Sequence, residues 1–130
     1  MLLLFGVAAP PALAQYFGRN KVQYDKFDFS VLDTERFDIY FYDEEETAVR
    51  DAARMAERWY RRHSQTYLRE FTEKKPIIFY ANDADFQQTN AISGSIGQGT
   101  GGVTESLKER VIMPLTGLYK ETDHVLGHEL

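Results

Sequence analysis

The 130-residue sequence predicts an α+β domain, a mixed twisted sheet carrying one long packing helix and the start of a second. Two observations predict it. Apolar residues alternate in pairs at Phe27 to Phe41 and run together at Ile77 to Ala81 and Val111 to Met113, as strands do. Between the first two groups they recur every three or four residues over Val49 to Tyr67, as along one face of a helix.

In chain order, Phe27, Phe29 and Val31 alternate with Asp28 and Ser30, and Phe37, Ile39 and Phe41 alternate with Asp38 and Tyr40. The polar Asp33-Thr34-Glu35 between them predicts a hairpin. Asp43 and Glu46 have capping-box spacing, with Asp in place of Ser or Thr. From there a helix is expected over about 44–72, its apolar stripe formed by Val49, Ala52, Ala53, Ala56, Trp59, Tyr60, His63 and Tyr67. Glu46 and Glu57 stand four residues before Arg50 and Arg61, so the arginines of this helix read as a solvated, ion-paired face. His63 lies on the stripe without a second ligand-type residue at metal spacing and reads as a packing residue.

Pro76-Ile77-Ile78-Phe79-Tyr80-Ala81 reads as a buried strand, after which Asp83 or Asp85 is expected to cap a brief helix through Gln88. The glycine-rich Gly94 to Gly102 reads as a mobile connection, followed by strands at Val103-Thr104 and Arg110 to Pro114. Within it, Gly97 to Gly102 fits G-x-G-x-x-G, with Asp123 further on. No apolar strand runs into Gly97, however, and no amphipathic helix opens after Gly102, so the dinucleotide reading is set aside. The last helix is expected from Thr122, with Thr122 as its cap and Asp123 in its first turn. No stop signal follows Leu130, which predicts that this helix continues.

The ends and the charge narrow the class. Residues 1–14 are uncharged and apolar and close on Ala12-Leu13-Ala14, which predicts a secretory signal peptide and a mature domain over 15–130. A buried amino-terminal strand or helix is the alternative. The apolar run falls short of the roughly 20 residues a bilayer requires, so no stable membrane span is expected. Export to the periplasm or the outside follows, and with no cysteine there is no disulfide framework. A net charge of −5 argues against a nucleic-acid surface.

Chemistry concentrates at the carboxyl end. His124 and His128 are one helical turn apart, and Glu129 follows the second. In an H-E-x-x-H helix, two histidines one turn apart reach a single zinc ion and the Glu beside the first holds the attacking water. His128 and Glu129 match the first two positions. Gly127 weighs against this, since Gly inside a helix costs about 1 kcal/mol and can end it. It would also permit close packing. His124 is open between a packing or second-shell role and a two-histidine site with His128.

The stretch Asp123 to Leu130, with Gly101-Gly102-Val103-Thr104-Glu105 and Arg110-Val111-Ile112-Met113-Pro114, resembles the start of the catalytic domain of gluzincin-type zinc metallopeptidases of the bacterial peptidase MA-like family. The paired strands around Phe29 and Ile39 and the helix with Trp59-Tyr60 are similar too. The resemblance implies a zincin-like N-terminal subdomain, with Zn2+ as cofactor, His128 as a metal ligand and Glu129 as the general base. It further implies that Gly101, Gly102, Val103, Thr104 and Glu105 form the edge strand along which a peptide or protein substrate lies. The remaining zinc ligands would follow Leu130, and some members carry a C-terminal Tol-type β-propeller. The 130 residues alone are then expected to be inactive. The alternative expectation is a non-catalytic periplasmic or surface binding module, or a degenerate peptidase, on the same frame.

Overall fold

The computed structural model describes residues 20–42, 45–92, 95–97 and 99–130. The expected signal peptide and the Asp43 cap lie outside them. Strands β1 (Ser30–Asp33) and β2 (Phe37–Phe41) form the expected antiparallel hairpin. Helix α1 (Glu46–Tyr67) then carries the chain to β3 (Lys75–Tyr80), which lies parallel to β2, because parallel neighbours require a crossover connection. After the short α2 (Asp83–Gln87), β4 (Val103–Glu105) and β5 (Arg110–Pro114) pair antiparallel, and α3 (Tyr119–Glu129) follows. β5 inserts parallel to β3, giving a mixed sheet of order β1-β2-β3-β5-β4.

One sheet face carries Phe37, Ile39, Ile77, Phe79, Val111 and Met113, all buried, in register across β2, β3 and β5. Val49, Ala52, Met55, Ala56 and Tyr60 of α1 and Leu126 of α3 close over it. Each such large side chain contributes about 1.5–3 kcal/mol by leaving water, so this layer sets where α3 lies. The other face holds Tyr80, Ile112 and Phe86, the last from α2, with Phe27 and Tyr42 packed against them. Among the described residues no helix is long and apolar enough to cross a membrane.

Local departures from expectation have physical causes. Ladder pairing in β1 begins at Ser30, because Phe27 stacks on Tyr42 with ring centres 5.0 Å apart and Phe29 meets Tyr80 edge-on at 5.8 Å. α1 ends at Tyr67 rather than near 72: Leu68 takes φ 52°, and the chain folds back so that Phe71 packs on Tyr60 at 4.7 Å. Asn82, not Asp83 or Asp85, caps α2, its Oδ1 accepting from the Asp85 amide at 2.9 Å. Thr122 is not a cap but lies buried inside α3, which begins three residues earlier, after the turn in which the Thr116 hydroxyl accepts from the Leu118 amide. Glu46 pairs with Arg50 as expected. Glu57 instead reaches the hairpin, where Oε1 accepts from the Thr34 hydroxyl and the Arg36 amide, each at 2.8 Å.

Candidate metal centre

α3 runs unbroken through Gly127 to Glu129, so glycine does not end the helix here. The reason is on α1. A Cβ at position 127 would stand 2.5 and 2.6 Å from Cε2 and Cζ2 of Trp59, so only glycine lets the indole lie against the α3 backbone. The indole Nε1 donates to Asp123, 2.8 Å from Oδ1 and 3.0 Å from the backbone oxygen, and Arg58 forms an ion pair with the same carboxylate. His63 is the packing residue its position suggests, its ring stacked on Trp59. Its Nε2 lies 3.0 Å from the Gly127 carbonyl oxygen, which can only accept, so Nε2 carries the proton.

On its other side α3 meets the start of β4. A Cβ at Gly101 would stand 2.9 Å from Cγ2 of Val125. One at Gly102 would stand 3.0 Å from Val125 Cγ1 and 3.2 Å from Glu129 Cγ. These two glycines, expected in a mobile connection and as part of the edge strand, therefore serve close approach of α3 and lie just before β4. β4 itself is the sheet edge, pairing with β5 alone among the described residues. A strand rather than a helix follows the glycines, which removes the helix N-terminus that dinucleotide binding needs.

The Thr104 hydroxyl, on β4, lies 2.5 Å from Glu129 Oε2 and 2.8 Å from the Glu129 carbonyl oxygen. Its single proton ties the carboxylate and the end of α3 to the edge strand. Further along β4, Arg110 Nε donates to Glu105 Oε2 at 2.6 Å. That hydrogen bond, with the guanidinium charge, holds the Glu105 carboxyl below the usual carboxylate range.

The imidazoles of His124 and His128 are both exposed, and neither forms a hydrogen bond, ion pair or ring contact with any described residue. His124 lines a cavity of about 770 Å³ with Asn82, Asp83, Thr100 and Lys120, so it is not packed in the core. Of the donor types that zinc takes, the end of α3 offers one unengaged imidazole, that of His128, while the neighbouring Glu129 carboxylate is held at Oε2 by Thr104. Three ligands are not assembled, since among the described residues no group of three or more His, Asp or Glu side chains could hold an ion.

Sequence reasoning placed His128 and Glu129 on this helix and Thr104 on the neighbouring strand, but it missed the Trp59, His63 and Asp123 contacts. A glycine inside a helix, in a chain with one tryptophan, was the available sign. The chain matches no family model, no curated protein and no solved structure.

Proposed function

We propose that the chain is the N-terminal part of an exported zinc-dependent peptidase of the gluzincin type, with His128 as a zinc ligand and Glu129 as the general base. The observation that carries the reading is the last turn of α3, which stays helical through Gly127 and sets the Glu129 carboxylate against edge strand β4 while the His128 imidazole is exposed. When bound, zinc lowers the pKa of a coordinated water to about 7 and polarises the scissile carbonyl. Thr104 occupies Oε2 of Glu129, which leaves Oε1 to take a proton from water. The outer edge of β4, from Val103 to Glu105, offers backbone groups to an extended peptide. On this reading a His two positions after Leu130 and a Glu on a following helix would complete the site. Without them, His128 is one of the three protein ligands required and the 130 residues hydrolyse nothing.

The test is Glu129→Gln in the full-length protein, assayed on labelled casein. Hydrolysis falls by about 10²–10⁴-fold while the zinc content stays that of the parent, because the base is lost and the ligands are kept. Full hydrolysis by the variant rejects the role of Glu129. The alternative is a binding module or degenerate peptidase on the same frame. A full-length protein that neither binds zinc nor cleaves casein would be that module.

A further inference from the structure

β3 and β5 are parallel neighbours whose chains leave the sheet toward opposite faces. β3 passes into α2, whose Phe86 packs with Tyr80 and Ile112 on one face. β5 passes into α3, whose Leu126 packs with Phe79 and Met113 on the other. The Leu115 amide donates to the Tyr80 carbonyl at 2.7 Å, so the two strands stay together to their carboxyl ends before the chains part. Where neighbouring parallel strands send their connections to opposite sides, a crevice opens beyond their carboxyl ends, and open sheets bind ligands in such crevices. The cavity of about 770 Å³ lies there, between α2 and α3, and small-molecule sites measure about 300–1,000 Å³. Pro114 and Leu115, both buried, give it apolar walls.

The charged lining of this cavity has both signs. Lys120 and His124 stand one helical turn apart on α3, with Glu121 beside Lys120, and none of these three side chains engages a described residue. Asp83 comes from the first turn of α2, where Oδ2 accepts from Gln87 Nε2 at 2.8 Å and Oδ1 has no partner among the described residues. A simple anion would meet the two basic groups but also two carboxylates, and a simple cation would meet the reverse. A ligand carrying both charges on an apolar body satisfies all four. From this placement we infer that the crevice binds a small zwitterion with an apolar side chain, a free amino acid or a short peptide. Its carboxylate lies on Lys120 and His124, its ammonium on Asp83 and Glu121, and its apolar part against Pro114 and Leu115. The zinc reading gives none of these side chains a role, so the inference stands or falls apart from it.

The 130-residue chain carries every residue the site needs, and calorimetric titration of that chain is the test. The probes are leucine and the dipeptide Leu-Leu, each also acetylated at its amine or amidated at its carboxyl, and inorganic phosphate. Leucine or Leu-Leu binds at one site per chain, and the tighter of the two tells a single amino acid from a peptide. Capping either charge weakens binding by about tenfold or more, as the loss of a charged hydrogen bond should, and phosphate does not compete. Lys120 is exposed, and Lys120→Met shrinks the penalty for amidation while keeping that for acetylation; Asp83→Asn does the reverse. A variant that merely misfolds loses both penalties together, and circular dichroism reports it. The inference is overturned if neither probe binds the folded chain, if capped and free probes bind alike, or if phosphate competes through Lys120.

Discussion

Replacing Gly127 by Ala tests the contact on which the last turn of α3 depends. The new Cβ would lie 2.5, 2.6 and 2.9 Å from three carbons of the Trp59 indole, against an ordinary carbon contact of about 3.5–4.0 Å. The indole or the helix must therefore give way by about 1 Å. Overpacking of this kind costs about 1–3 kcal/mol. If the indole moves, its hydrogen bond to the Asp123 carboxylate weakens as well, at a further cost of about 1.5 kcal/mol or more. Ala opposes this with about 1 kcal/mol of helix propensity over Gly. The loss wins, by about 1–3 kcal/mol, and for a domain of this size Tm falls by roughly 4–12 °C. Trp59 is the only tryptophan, so its fluorescence reads the same site during a thermal melt. The double variant with Trp59→Leu has space for the methyl, and the two changes should be coupled by about 1 kcal/mol or more. A Gly127→Ala protein with raised or unchanged Tm and parental emission would refute the α1 to α3 contact.

Two further outcomes follow from the fold. Glu57→Ala removes the acceptor for the Thr34 hydroxyl and the Arg36 amide, and should lower stability by about 1–2 kcal/mol in urea with unchanged m-value, most of it restored in Glu57→Gln; an unaltered midpoint would show that the hairpin is not tied to α1 there. Burial, with the Asp85 carboxylate beside it, raises the pKa of the Tyr42 phenol far above its ordinary value near 10. A raised folded-state value means the contribution is complete below about pH 10 and is lost as pH climbs further, so Tyr42→Phe should flatten the decline in stability above pH 10. Ionisation of Tyr42 near pH 10 in the folded protein, seen as a phenolate difference spectrum, would contradict this.

Much of the sheet was legible because its strands carry local signals. The alternation in Phe37 to Phe41 and the apolar run in Ile77 to Tyr80 mark positions that must face a core, and α1 shows its buried face through Val49, Ala52, Ala53, Ala56 and Tyr60. Its end was not legible: Leu68 adopts a left-handed conformation without being glycine, a result of Phe71 packing back on Tyr60. The start of α3 was misplaced because Thr122 has the residue type of a cap but the burial of a core side chain. At the candidate site, neighbouring positions in one helix revealed His128 and Glu129. The contacts holding that helix join residues far apart in sequence, such as Trp59 with Gly127 and Thr104 with Glu129, and leave no periodic trace.

The account stands on His128 being a zinc ligand, and metal analysis of a protein that extends through the whole proposed zinc site tests this most directly. It should contain about one zinc per chain, lost in His128→Ala and retained in His124→Ala. A parent protein without zinc, or a His128→Ala protein with as much as the parent, would contradict it.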